Sequence, residues 1–464
     1  MERFFRLKEH GTNVRTEIMA GLTTFMTMAY ILALNPNILS ATGLDWTGVF
    51  LATALAGGIF TVAMGLFVNF PVALAPGMGL NAYFATTVLT SNGKISPEIA
   101  LTAVFISGLI FIVLTVTKVR QMLITAVPDS LKHAITAGIG LFITIIGLKN
   151  SGLLTVAVEN TVTDIPKGIF TDVLGFESVI HMGSLENNGV LLTIVGIFLI
   201  AILMVMRVPG AILWGIIGTT IVAILMGEVN VNNTLSGQTW APNFGQLNFW
   251  NFDFNGVMEA GLISVVLTFT FVELFDTFGT LVGTASRAGL MKNEEEGKKR
   301  VGKAMLVDAV AVGGGAMLGT STVTAFVESS AGVAQGGRTG LTSVTTGICF
   351  LLALFLSPLV ALVPGSATAA ALVIVGVLMM SSVKNIDFSD MVYAIPSFLT
   401  LALMPFTYNI ANGISFGIVS YVLLATIANV TKKGDNGGGY KVHALMWILA
   451  ILIILRYVYI GSQG

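Results

Sequence analysis

Four carboxylates stand where carboxylates are expensive. Glu273, Asp276, Asp308 and Glu328 fall inside long apolar runs, away from the ends of those runs. An ionisable side chain within a membrane span faces a protein interior or a watery cavity and marks an ion or substrate path. Glu273 and Asp276 are spaced i,i+3 in FVELFDTFGT and share one helix face. Two close carboxylates in a low dielectric do not both ionise cheaply, so such a pair is suited to carrying a proton. For either residue the alternative is a packing or solvated acid. Asp308 lies in a short run beside Gly313-Gly314-Gly315. It serves either coupling or support of the site by hydrogen bonding. Glu328 sits in the middle of TSTVTAFVESSAGVAQGGRTG, residues 320–340, with capping of a half-helix as its structural alternative.

The chain near these acids is built to leave the helix. Residues 75–82 read Ala75-Pro76-Gly77-Met78-Gly79-Leu80-Asn81-Ala82. Proline lacks a backbone donor and glycine disfavours regular helix. Residues 320–340 are equally dense in Gly, Ser and Thr. Non-helical backbone at membrane depth is tolerated only where protein or a water-filled cavity satisfies it. Paired interruptions at matching places in two halves of a chain point to a transporter's binding site. The alternative is that small residues merely permit close helix packing.

The elements that carry these residues are spans. The chain has 464 residues, of which 55% are hydrophobic and 10% charged, and its mean hydropathy is +0.88. A soluble protein is about 25% charged, so this composition defines a polytopic membrane protein. Fourteen apolar runs approach the length of about 20 residues that a spanning helix needs: 18–35, 48–67, 74–90, 99–117, 133–149, 189–206, 210–226, 257–283, 304–319, 320–336, 340–362, 366–383, 391–408 and 410–430. A fifteenth, 444–460, contains Arg456 and is expected to lie at the interface. The basic segments at 1–17, 118–132, 284–303 and 432–433 fall on one side when the runs are threaded in order. That side is expected to be the cytoplasm. No cleavable leader is visible in residues 1–17, which read as a cytoplasmic anchor.

The halves echo each other at an offset of about 236–240 residues, the scale of a duplicated half. Ala20-Gly21-Leu22 matches Ala260-Gly261-Leu262, and Pro128, Ser130, Ala134 and Gly140 match Pro364, Ser366, Ala370 and Gly376. Gly210 and Gly215 resemble Gly413 and Gly417 at a shorter offset. Seven spans per copy is odd, so the second copy enters the membrane from the opposite side. The expected fold is therefore all-α, with 14 transmembrane spans as a 7+7 inverted repeat. Its expected parts are a cytoplasmic N-terminus (1–17), a first repeat (18–230), a second repeat (257–430) and a C-terminal segment (431–464).

Several function classes drop out. A net charge of −1 excludes an electrostatic nucleic-acid binder. One cysteine, Cys349, excludes a disulfide framework and a cysteine metal cluster. The four histidines lie outside the runs or at their edges, so no metal site is expected within the membrane. There is no P-loop to supply ATP as driver, and no enzyme activity or cofactor is expected. A cation channel lined by acids is the rival of a different class.

The strings TTFMTMAYILALNP (23–36), APGMGLNAYFA (75–85), FVELFDTFGTLVG (271–283) and TSTVTAFVESSAGVAQGGRTGLTSV (320–344) resemble the AzgA-like purine permeases. That group is a branch of the nucleobase/ascorbate transporter superfamily, which also includes the bacterial uracil permease. The resemblance runs from about residue 3 to 460, over nearly the whole of the chain. It implies a uracil-permease-like fold with a core domain (spans 1–4 and 8–11) and a gate domain (spans 5–7 and 12–14). Spans 3 and 10 are broken by short strands that meet. The resemblance implies that the span-8 carboxylate is Asp276, aligned on Gly279, with Glu273 as the other placing. Glu328 resembles the span-10 glutamate that holds the base, Asn81 a span-3 polar residue of the purine branch, and Asp308 the span-9 acid. Thr280 stands where other branches place His or Asp, which favours the purine branch. Gly79 and Phe326 complete the expected substrate site, and Tyr83, Phe84 and Phe326 are candidates to stack on a ring.

The expectation is thus a purine base importer (adenine, hypoxanthine or guanine) in a bacterial-type plasma membrane. Protons, or alternatively sodium, are the coupling ion, through Asp276, Asp308, Glu328 and Glu273. Membrane lipid surrounds it, and the resemblance implies a homodimer. A permease of the same fold for another nucleobase or an organic anion is the nearer rival. An anion calls for a basic residue at the site, and Arg338 is the cation in the broken spans.

Overall fold

The structure, a computed structural model, describes residues 2–91, 93–117, 122, 126–156, 180–236, 239–259, 265–266, 269–270, 273, 277, 280–281, 284–285, 287–290, 294–431 and 439–459. Among these, nine helices are long and apolar enough to cross a membrane, and three more are apolar but shorter. The helices that matter below are α1 (Val14–Met28), α2 (Ile31–Leu39), α3 (Trp46–Ala63), α4 (Met78–Thr90), α5 (Pro97–Val116), α6 (Asp129–Asn150), α7 (Asn188–Val205) and α8 (Ala211–Leu225). The second half supplies α9 (Glu294–Leu318), α10 (Ser329–Ala334), α11 (Gly340–Leu352), α12 (Gly365–Met380), α13 (Met391–Phe406), α14 (Ile410–Thr431) and α15 (Ala444–Tyr459). Strand β1 (Leu74–Pro76) pairs with β4 (Val323–Ala325), and an outlying hairpin joins β2 (Leu154–Val156) to β3 (Ile180–Met182).

Two expected runs differ from the observed elements. The 304–319 run is only the C-terminal part of α9. Of the basic stretch before it, residues 294–303 are helical, because Glu and Lys are good helix formers. Lys299 lies 2.9 Å from Glu295 and Arg300 3.4 Å from Glu296, both at i,i+4, pairs that add little at an exposed surface. The 320–336 run holds a strand and a six-residue helix, with Gly336 at a left-handed φ of +104° just beyond. Asp276, in the 257–283 run, lies outside the described residues.

The helices pack as two groups. One contains α6, α7, α8, α12, α13 and α14, with α6 against α12 and α13. The other contains α1, α2, α3, α4, α5, α9, α10 and α11 together with β1 and β4. The groups meet where α1 touches α8, α2 touches α12 and α4 touches α6. At the last contact a Cβ on Gly79 would lie 2.5 Å from Ile139 Cγ2. Isoleucine is stiff at that branch, so the close approach requires glycine. Within the first group, α6 and α12 cross at the sequence-matched pair Gly140 and Gly376. A Cβ on Gly376 would meet Gly140 O at 2.6 Å, and one on Gly140 would meet Gly376 O at 2.9 Å.

A buried acid outside the expected set closes the second group. Glu17, near the start of α1, is fully buried. Its carboxylate accepts from Arg338 N (2.8 Å), Thr339 N (3.3 Å), Thr342 N (3.2 Å) and Thr342 Oγ1 (2.6 Å). Asn69 Oδ1 takes Gly340 N at 2.7 Å and Thr339 Oγ1 takes Leu341 N at 3.3 Å. The first N–H groups of α11, orphaned by helix geometry, are thereby all partnered, and a carboxylate sits at the positive end of the helix dipole. Arg338 in turn donates to Val333 O (2.5 Å) and Gly337 O (2.8 Å), anchoring the end of α10. Glu17→Ala would leave several buried donors unpaired, each costing about 1–3 kcal/mol. The purified variant is expected to melt several degrees lower in detergent; an unchanged Tm would show that this cap carries no stability.

Candidate functional site

The site is built on the pairing of β1 and β4, antiparallel with Leu74 opposite Ala325, Ala75 opposite Thr324 and Pro76 opposite Val323. The ladder continues beyond both strands, with Gly77 N donating to Thr322 O at 2.9 Å and Phe326 N to Ala73 O at 3.0 Å. Side chains satisfy its edges. Thr61 of α3 accepts from Leu74 N (2.8 Å) and donates to Leu74 O (2.9 Å), and Ser329 Oγ accepts from Ala73 N (3.0 Å). Proline, which has no N–H, sits at the last position of its strand, where a missing donor does least harm.

Hydroxyls then tie 320–324 to three other elements. Thr320 accepts from Asn35 of α2 at 2.8 Å, and the same amide reaches Thr53 of α3 at 2.7 Å. Ser321 donates to Asn81 Oδ1 on α4. Thr324 meets Thr277 at 2.8 Å. Thr277 also lies 2.8 Å from Glu273 Oε1 and 3.3 Å from Asp308 Oδ1. All of these residues are buried. Glu273 and Asp308, thirty-five residues apart, are therefore joined through one hydroxyl that also touches β4.

Glu328 follows β4 and precedes α10. Tyr30, between α1 and α2, donates its hydroxyl to Glu328 Oε1 at 2.7 Å. Glu328 lines a cavity of about 420 Å³. The cavity runs between α1 (Thr23, Thr27), α10 and the residue after it (Ala331, Ala334, Gln335), the α7–α8 turn with the first residues of α8 (Arg207 to Ile212) and Leu378 of α12. It therefore lies on the seam between the two helix groups.

The expected residues fall into three sets. Asn81, Glu273, Asp308 and Glu328 are all attached to the β4 segment or its neighbours by the bonds above. Gly79 is at the α4–α6 contact, and Thr280 is buried. Phe326 is buried with its N–H in the ladder. Tyr83 packs edge-on to Phe269 at 5.0 Å, and Phe84 is fully buried. Asp276 lies outside the described residues. The residues not expected are Tyr30, Thr277, Asn35 and Glu17. Tyr30 and Asn35 belong to TTFMTMAYILALNP, a run whose polar residues in an apolar span were the available signal.

The fold is thus two packed helix groups, with the two broken segments paired inside the second. A family model described as Permease family (Xan_ur_permease) matches residues 15–416, and the chain belongs to that family. It is 41% identical to the adenine permease AdeP of Escherichia coli over 464 residues, covering all of this chain and 97% of the relative. It is 42% identical to the guanine/hypoxanthine permease PbuG of Bacillus subtilis over 471 residues, covering 99% of this chain and 100% of the relative. These relatives are transporters, not enzymes. Among solved structures it resembles the transmembrane domain of the cyanobacterial bicarbonate transporter BicA (TM-score 0.57, 17% identity, 89% of this chain and 96% of that one). It also resembles the murine anion transporter Slc26a9 in its inward-facing state (TM-score 0.64, 10% identity, 89% and 68%). At those identities the likeness is one of fold.

Thr277 is the joint of the buried network, so Thr277→Val, which keeps its shape, removes three contacts at once. Each buried partner left short costs about 1–3 kcal/mol. Transport is expected to fall at least about tenfold with the protein still in the membrane. Wild-type uptake by the variant would show that the Glu273–Asp308 link is incidental.

Proposed function

We infer that the protein imports purine nucleobases across a plasma membrane by proton symport. The observation that carries this reading is Glu328, held by Tyr30 at the wall of a cavity on the seam between the helix groups. A carboxylate accepts from ring N–H groups, and the apolar lining suits a flat ring. The relatives at 41–42% identity over the full chain are named as purine base permeases.

Proton coupling is supported by the Thr277 network. A hydroxyl has one proton to give, yet Thr277 lies within hydrogen-bond distance of two carboxylates and Thr324. It donates to one of the two acids at a time, and a proton carried on the other carboxyl would let that acid donate to Thr277 in turn. Because Thr324 belongs to the segment that ends at Glu328, loading that proton is mechanically joined to the substrate site. Asp276, three residues after Glu273 in the sequence, shares the coupling role in this reading.

In this reading the chain makes fourteen spans as two inverted repeats, with the N-terminus in the cytoplasm. The group containing β1 and β4 is the core, and the group containing α6 and α12 is the gate. The core slides against the gate as an elevator, and two copies associate through their gates. The α7–α8 turn is then cytoplasmic, so the cavity beside Glu328 is the inward-facing exit.

Cells lacking their own purine permeases supply the test. Expression of the protein is expected to give saturable uptake of radiolabelled adenine, hypoxanthine or guanine that a protonophore collapses. Glu328→Gln, which keeps size but loses the carboxylate, is expected to reduce uptake by about a hundredfold or more. Normal uptake by that variant would remove Glu328 from the site, and protonophore-resistant uptake that follows sodium would replace the coupling ion.

A further inference from the structure

The cavity beside Glu328 has a second charged wall. Arg207 lines it from the gate-side group of helices, whereas Glu328 lines it from the core side. Of its described lining residues only these two are ionisable, and their neighbours Met204, Val208 and Ile212 are apolar. Arg207 is exposed and belongs to the cavity's lining.

The backbone fixes Arg207 there at some cost. It ends α7 at a left-handed φ of +57°, in a position where glycine is the usual residue. Val208 N donates to Leu203 O at 3.0 Å and Arg207 N to Met204 O at 2.9 Å, the paired bonds that close such a helix end. A long cation kept where glycine fits better, at the wall of a functional cavity, points to use of its side chain.

We propose that Arg207 determines specificity for 6-oxopurines, reading their acceptor edge while Glu328 takes their N–H edge. This rests on the purine-import reading. A guanidinium offers only donors, in a planar fork. Guanine and hypoxanthine present O6 and N7 as adjacent acceptors, the pair that arginine engages with two bonds when it recognises guanine in DNA. Adenine places an amino donor beside N7, so one arm of the fork meets a donor and both groups lose their partners. The carboxylate works in the same sense, because the 6-oxopurines carry a donor at N1 and adenine carries an acceptor there. Arg207 and Glu328 thus select the same bases from opposite walls, and a site with misplaced donors discriminates strongly.

Competition against radiolabelled hypoxanthine in the permease-deficient cells tests this. In the wild type, guanine is expected to compete at least about tenfold better than adenine. Arg207→Gly suits the left-handed turn and so preserves the fold while removing the fork. It is expected to shrink the guanine-over-adenine ratio about tenfold, and Arg207→Lys, with charge but no fork, to restore only part of it. An unchanged ratio in Arg207→Gly, or a wild type that prefers adenine, overturns the proposal while leaving purine import standing. Absence of any purine uptake by the wild type overturns the import reading and this proposal with it.

Discussion

A chain that leaves the helix inside a membrane must find a partner for every freed N–H and C=O, because the lipid offers none. Here two broken segments, more than two hundred residues apart, find those partners in each other. The β1–β4 ladder, its extension through Gly77 and Phe326, and the hydroxyls of Thr61 and Ser329 satisfy the backbone of both. Everything at the site hangs from that pairing. Asn81 lies five residues beyond Pro76, the last residue of β1, Thr324 is in β4, and Glu328 lies three residues beyond Ala325, so the pairing sets where each side chain stands.

The links that spread from the ladder are hydroxyls and amides rather than ion pairs. That choice is physically sensible, since an ion pair taken out of water bears a desolvation penalty that its attraction offsets only with excellent geometry. Asn35, Thr53 and Thr320 tie the ladder to α2 and α3, Ser321 and Asn81 to α4, and Thr277 to the two acids. Where α4 meets α6, Gly79 lets the helix press against Ile139.

Much of this was legible in the sequence because membranes punish exceptions. Pro76 and the glycines around it, the Ser/Thr/Gly density of 320–340 and the acids Glu273, Asp308 and Glu328 all violate the rule of apolar helix, and each lies at or beside the ladder. Glu17 was not legible, because an acid at the first turn of a span looks like one facing water; only the fold brings α11's N-terminus onto it. Arg207 was hidden in the same way, at the end of an apolar helix that the structure places against Glu328's cavity. Thr277 and Tyr30 carry no charge and stand among many threonines and aromatics, so their roles depend on contacts across the chain that no local pattern encodes. The extent of α9 was misjudged because its first turns are polar, and polarity alone does not separate an exposed helix end from a loop.

In the proposed function a purine binds on the carboxylate of Glu328, at the seam between the helix group that holds β1 and β4 and the group that holds α6 and α12. The most direct test is an experimental structure determined with guanine or hypoxanthine bound. The expected result is a planar base in the cavity with a ring N–H within hydrogen-bond distance of the Glu328 carboxylate. A base bound elsewhere in the molecule, with Glu328 still engaged only by Tyr30, would contradict it.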